Sequence, residues 1–211
     1  PSEDESRQGT DEFLRATGVD GEAAEKLRAL GPEERVRLVR RLEISAAAGA
    51  GATDLALDVT KFHRPLPKLI SLEGLHRLKH LAHDGNGWSI GAGVTLSRLE
   101  TAVANRLPAL ENMLRYFASR QIKNRATVGG NLVNASPIGD LAPVFLALDA
   151  QMVVRSAQGQ RQIPCDEFFL DYRKTALQPD EILESIFVPD SDAYVNAYKV
   201  SKRKEMDISA V

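Results

Sequence analysis

ASRQIKNRATVGGNLVNASPIGDLAPVFLALDA, residues 118 to 150, is the stretch on which the fold of this 211-residue chain turns. Its centre, RATVGGNLVNASPIGD from Arg125 to Asp140, holds two adjacent glycines, two asparagines, a serine and a proline. That mixture is inconsistent with a plain helix or a central strand, because glycine and proline interrupt both. Beyond it, Leu141 to Leu148 is apolar and reads as a helix. Before it, Pro108 to Arg120 reads as a helix with Leu107, Leu110, Met113, Leu114 and Phe117 at core-facing spacing.

Working outward, Thr95 to Ala104 is a further helix, opened by a capping pattern in which Thr95 or Ser97 precedes Leu99 and Glu100. Trp88 to Val94 (WSIGAGV) follows the turn-rich DGNG of Asp84 to Gly87 and reads as a strand. Pro67 to Leu72 has the look of a buried strand. Downstream, Ala150 to Ser156 and Gln160 to Pro164 form a hairpin around Gly159. Asp166 to Tyr172 is a short aromatic segment, Glu184 to Pro189 another strand, and Tyr194 to Lys202 alternates like a strand. From Asp11 to about Leu42 the pattern is helical, with start signals at Asp20 and Pro32, and implies two amphipathic helices packed on the main body. Helices and strands mix without strict alternation, so the class is α+β.

Composition bounds the function. The chain is 43% hydrophobic and 27% charged with a formal net charge of -2. Both signs are interspersed, and no basic field argues for nucleic acid. No apolar run approaches the roughly 20 residues that span a bilayer, and the start lacks a secretory pattern. The one cysteine, Cys165, excludes a disulfide framework and fits a reducing, cytoplasmic compartment. It equally excludes a cysteine-ligated iron–sulfur cluster built from this sequence alone.

Neither G-x-G-x-x-G after a strand nor G-x-x-x-x-G-K-[ST] is present. Two glycine-bearing turns stand instead: Gly49-Ala50-Gly51-Ala52-Thr53-Asp54 and Thr127-Val128-Gly129-Gly130-Asn131. Glycine lets backbone approach a ligand closely, and consecutive N–H groups can then face an anion; tight structural turns are the alternative reading. The second turn adds Thr127, Asn131, Asn134 and Ser136 as hydrogen-bonding side chains, and Asp140 as an acceptor suited to a ribose hydroxyl. That density points to a long, polar, partly anionic ligand. His76, His80 and His83 are spaced to share a helical face and bind zinc, but the spacing of Leu75, Leu78 and Leu81 favours a partly exposed helix or strand. The basic residues Arg115, Arg120, Lys123 and Arg125 suit phosphate attraction, a partner subunit or a solvated helix end. Cys165 reads as a small buried hydrophobe on a strand end.

The stretch quoted at the outset resembles the FAD domain of xanthine dehydrogenases, within the molybdenum hydroxylases. AGATDLALDVTK (Ala50 to Lys61), WSIGAGVTLSRLE, FFLDYRKTALQPDEILESIFVP (Phe168 to Pro189) and AYKVSKRKEMDISAV (Ala197 to Val211) follow in that family's order. The resemblance covers about residues 45 to 211. N-A-S-P together with D-Y-R-K-T looks more like xanthine dehydrogenase than carbon monoxide dehydrogenase.

The resemblance implies a two-lobed FAD-binding domain at 45–190 with a boundary near 85. A helical leader would occupy 1–44, and 191–211 would begin a truncated C-terminal subdomain. It places Ala48, Gly49, Ala50, Gly51, Ala52, Thr53, Asp54 and Leu55 along one side of the FAD diphosphate. Thr127, Val128, Gly129, Gly130 and Asn131 would cradle it from the other. Asp140 would hold the ribityl or ribose region, Phe117 would pack near the flavin, Leu183 would contact the ring or adenine, and Lys199 would lie at the cofactor edge. Asp171, Tyr172 and Arg173 would face a nicotinamide acceptor.

The implied function is an electron-transfer subunit passing electrons from iron–sulfur clusters through FAD to NAD. The clusters and the molybdenum cofactor would sit on partner chains or segments. No protein acid–base pair is required, because the cofactor carries the chemistry; no catalytic residue and no metal ligand is assigned. The alternatives are the FAD subunit of a hydroxylase oxidising an aldehyde, a heteroaromatic or carbon monoxide, and a flavin-less scaffold.

Overall fold

The computed structural model describes residues 74–203 and 207–210, together with Asp4, Arg7, Gln8, Asp11, Glu25, Arg28, Ala29, Lys61, His63 and Leu72. The first glycine turn, most of the leader, all but Leu72 of the strand expected at Pro67 to Leu72, and most of the expected first lobe lie outside the described residues.

Seven strands are described: β1 (Leu81–His83), β2 (Gly87–Gly91), β3 (Gln151–Arg155), β4 (Gln160–Pro164), β5 (Phe169–Asp171), β6 (Lys174–Thr175) and β7 (Ile182–Pro189). Six helices accompany them: α1 (Leu96–Val103), α2 (Pro108–Tyr116), α3 (Arg120–Lys123), α4 (Val128–Val133), α5 (Leu141–Ala147) and α6 (Cys165–Phe168). Five strands form one antiparallel sheet in the order β1-β2-β7-β3-β4, and β5 and β6 form a separate hairpin. Helices and an antiparallel sheet in one body make the class α+β.

β7 is the central strand, so its apolar residues are covered on both flanks. Leu183, Ile186 and Val188 are fully buried, and Ile186 pairs with both Ile90 of β2 and Met152 of β3. The β3–β7 register shifts between Val153 and Val154, which pair with Ser185 and Leu183. Glu184 is the extra residue of this bulge. Its buried carboxylate takes Arg155 at 2.7 Å, and its carbonyl accepts the Ala92 N–H at 2.9 Å.

That carbonyl begins a relay that fixes the second glycine turn to the sheet. Gly129 N–H donates to the Ala92 carbonyl (2.8 Å), Val128 N–H to Val94 (3.0 Å) and Leu96 N–H to Ala126 (3.0 Å), around a bridge between Thr95 and Thr127. Thr127 then caps α4, accepting Gly130 N–H through its side chain. The stretch expected to be irregular therefore contains a short helix. Two glycines lower its intrinsic propensity, but the cap, the backbone relay and the burial of Val128, Leu132 and Val133 outweigh that.

Other expectations needed smaller corrections. The helix from Pro108 stops at Tyr116, because Ala118 takes φ 40° before Ser119 caps α3. The region Tyr194 to Lys202 forms no strand: among the described residues it has no regular hydrogen-bonded partner strand, whatever its alternation. Cys165 begins α6 rather than ending a strand, yet it is a buried hydrophobe, and burial followed by the nearby Asp166 pushes its thiol up to about 11. Such a thiol is inert near neutral pH.

Candidate functional site

A cavity of about 460 Å³ opens beside α4, lined by Phe117, Thr127, Gly130, Asn131, Asp140 and Lys199 among others. Six of the residues expected at the ligand therefore meet at one space, from the α2 C-cap, the α4 N-terminus, the α5 N-cap and the segment after β7. Asn134 and Ser136 line it too.

Asp140 sits at the N-cap position of α5 but makes no side-chain capping bond. A capping aspartate is worth about 1 kcal/mol to its helix, so the carboxylate is committed elsewhere. One oxygen accepts from Lys199 Nζ at 2.7 Å and the other from the Ser209 hydroxyl. The ion-paired side chains are only 9% and 5% exposed for Asp140 and Lys199. Taking two charges out of water this far is costly, and mutual hydrogen bonding offsets it.

The second feature is a deficit. Asn131 Oδ1 is buried without a hydrogen-bond partner among the described residues. A buried unpaired amide oxygen costs about 1–3 kcal/mol, and its residue lines the cavity from α4. Gly139 lies beside it: a Cβ there would stand 3.9 Å from this oxygen and 3.1 Å from the Ser136 carbonyl. The arrangement keeps an acceptor dry and, among the described residues, unused.

Three expectations look different in three dimensions. The amides of the second turn do not stand free for an anion: Val128, Gly129 and Asn131 donate to backbone carbonyls and Gly130 to the Thr127 hydroxyl. Val128 and Gly129 are buried behind the cavity wall and do not line it. Leu183 is wholly enclosed in the sheet core and is likewise absent from the lining. The residues from Ala48 to Leu55 lie outside the described residues.

The histidines do not assemble a metal site. His76 lies in a 3-10 turn, His80 follows it, and His83 is on β1, bonded to Asp190 at 2.9 Å. Among the described residues no group of three His, Cys, Asp or Glu is placed to hold a metal ion. The basic cluster is largely consumed internally: Lys123 is buried and bonds Glu100 at 2.6 Å, Arg120 pairs with Glu100, and Arg115 with Glu111. Tyr172 and Arg173 occupy an exposed turn between β5 and β6, with Arg173 at φ 51°.

Sequence reasoning did not single out Ser209, Ser119 or Ile138, which also line the cavity. Ser209 reaches Asp140 across 69 residues, a separation that no local pattern encodes. A second cavity, about 410 Å³, is lined by His83, Trp88, Arg106, Asp190 and Tyr194 among others. Among the described residues no helix is long and apolar enough to cross a membrane.

Known proteins give the geometry its context. A family model described as FAD binding domain in molybdopterin dehydrogenase matches residues 25–191. Xanthine dehydrogenase of Emericella nidulans is 36% identical over 187 residues, covering 82% of this chain and 14% of that protein. Xanthine dehydrogenase of Dictyostelium discoideum is 33% identical over 202 residues, covering 84% of this chain and 15% of that protein. Among solved structures, a carbon monoxide dehydrogenase from Hydrogenophaga pseudoflava aligns with TM-score 0.68 at 27% identity, over 83% of this chain and 62% of that one. Quinoline 2-oxidoreductase from Pseudomonas putida 86 shares the fold, with TM-score 0.69 at 24% identity over 82% of this chain and 62% of that one. The chain thus spans a small part, 14–15%, of the curated relatives it matches. With the family model covering most of its length, the chain belongs to the FAD binding domains of molybdopterin dehydrogenases.

Proposed function

We propose that the cavity beside α4 holds FAD, and that the chain serves as the electron-transfer part of a xanthine dehydrogenase-like molybdenum hydroxylase. The observation that carries this reading is the buried Oδ1 of Asn131, without a hydrogen-bond partner among the described residues, on a residue that lines a cavity also presenting a carboxylate–ammonium pair with side chains 9% and 5% exposed. A ligand rich in hydroxyls satisfies that acceptor, which apolar ligands and inorganic anions cannot do. These acceptors therefore fit the polyol and ribose of a flavin dinucleotide.

In this reading Asn131 and Asp140 accept from hydroxyls, and Gly130 permits close approach where a side chain would intrude. Phe117 supplies an apolar wall, and Lys199 balances Asp140 so that the ligand meets a neutral rim. With the α4 amides already engaged, the diphosphate is assigned to the first turn, Ala48 to Leu55, aided by Ser119 and Ser136. Leu183 contributes to the rigidity of the sheet behind the site rather than as a contact. Bound FAD supplies redox chemistry of its own, which the chain has only to bind, orient and shield.

Within a longer protein, iron–sulfur clusters and a molybdenum cofactor on other segments or partner chains would deliver the electrons, and NAD would receive them. The two-lobed arrangement, the leader at 1–44, the subdomain beginning at 191 and a cytoplasmic location belong to the same proposal. The xanthine-dehydrogenase-like assignment is supported by the curated xanthine dehydrogenases at 36% and 33% identity.

Purified chain mixed with FAD and desalted tests the reading. Retained flavin absorbance, with free FAD released on denaturation, is the expected result. A colourless protein that takes up no FAD overturns it in favour of a scaffold.

A further inference from the structure

We infer that Ser209 is a positioning residue for the cofactor site, and that the chain after β7 acts as a strap fastened across the cavity through Asp140. The inference rests on the FAD reading above and adds the group that holds the site closed.

From Ser191 to Arg203 and from Asp207 to Ala210 the chain forms no helix or strand, yet it contributes Lys199, Asp207, Ile208 and Ser209 to the cavity wall. Val195 and Ala197 pack against the core, and among the described residues three polar ties add to that packing. Asn112 of α2 donates to Asn196 Oδ1 at 2.7 Å, and the same oxygen accepts the Ala197 N–H at 2.9 Å. Lys199 then reaches one oxygen of Asp140, and Ser209 donates to the other.

The geometry between Lys199 and Ser209 is preset. Ala210 N–H donates to the Val200 carbonyl at 2.8 Å, closing a loop whose middle is tied by Arg203 N–H to Asp207 at 2.9 Å. Both residues are thereby presented to one carboxylate from one loop. Lys199 alone fixes a single oxygen and leaves the carboxylate free to swivel about its last torsion. Ser209, engaging the second oxygen, sets its plane. A serine oxygen that donates to Asp140 also keeps its own lone pairs for a ligand hydroxyl. Asp140 gives up capping α5 to make these contacts, so the fastening is built at the helix's expense.

The consequence is kinetic. A ligand held on Asp140 leaves only after the strap lifts, so weakening the fastening raises the dissociation rate more than it alters the fold. Ser209→Ala removes the hydroxyl from a charged acceptor and is expected to speed FAD release about tenfold, with Ser209→Thr restoring the slow rate. Loss of FAD fluorescence quenching after dilution into excess apo-flavoprotein scavenger reads the rate directly. A second readout needs no cofactor: tryptic cleavage after the exposed Lys202 and Arg203 should be faster in apo Ser209→Ala than in the apo parent chain. Faster release and faster cleavage, both reversed by threonine, support the inference. A parent that binds FAD beside a Ser209→Ala variant with unchanged release and cleavage overturns it alone. A parent that binds no FAD overturns the FAD reading and the positioning role together.

Discussion

The two cavities differ little in size, about 460 Å³ against about 410 Å³, and differ sharply in what their polar groups are doing. In the second, the charged and aromatic groups are occupied with each other. Arg106 lies 4.5 Å over the Trp88 ring, His83 packs 5.2 Å from the same ring, and His83 bonds Asp190. In the first, an acceptor stands buried without a donor and a carboxylate is turned away from the helix it would normally cap. Unmet hydrogen-bonding capacity, more than volume, marks the space that a ligand completes.

The largest expected effect breaks the first cavity and spares the fold. Gly130→Val places three carbons in the cavity wall and should weaken FAD by about 10- to 100-fold, with circular dichroism unchanged. Gly129→Val sharpens the point, because Gly129 is buried and bonded to Ala92. Its cost should appear in the melting temperature instead.

Next comes the buried pair. Asp140→Ala strands Lys199 and is expected to cost about 3 kcal/mol in urea unfolding. The double variant Asp140→Leu with Lys199→Met should recover that stability to within about 1 kcal/mol while FAD affinity stays lost. Recovery of binding in the double variant would remove Asp140 from the site.

The second cavity should respond differently. Arg106→Ala deletes the cation over Trp88 and should cost about 0.5–1 kcal/mol, with FAD affinity unchanged by titration. The smallest effect lies at the sheet edge, outside both cavities. Burial pushes the Glu181 carboxyl up, but the bidentate Arg161 (2.6 and 2.7 Å) and the Gln178 N–H outweigh it, and the net position is below the ordinary value. The unfolded carboxyl titrates near 4.3, above the folded one. The stabilisation is therefore complete above that range and is lost as pH falls through the lower, folded value. The urea midpoint should fall with acid more in the parent than in Arg161→Met.

The elements legible in sequence were those whose signal is local. α1 with its Thr95 cap, α5, the β3–β4 hairpin around Gly159 and the end of β7 all appeared where hydrophobic period and turn residues placed them. α4 was hidden because its stability comes from Ala92 and Val94, far away in sequence, while its own glycines argue against a helix. The same bonds consume the amides that a glycine-rich turn seemed to offer, since composition shows which N–H groups exist but not which are already engaged. Tyr194 to Lys202 alternates as a strand does, but strand formation needs a partner edge, and alternation does not supply one. Of the candidate site, Thr127, Gly130, Asn131, Asp140, Phe117 and Lys199 were named through resemblance and line one cavity. Ser209 was not, because a lone serine carries no signal until the fold brings it to Asp140.

Hydrogen–deuterium exchange of the chain with and without FAD compares the two cavities in one measurement. Protection on adding FAD should concentrate in peptides covering 48–55, 117–140 and 199–209, with 83–109 and 189–195 unchanged. Protection centred on the Trp88–Arg106 cavity, or none at all at saturating FAD, would contradict the account.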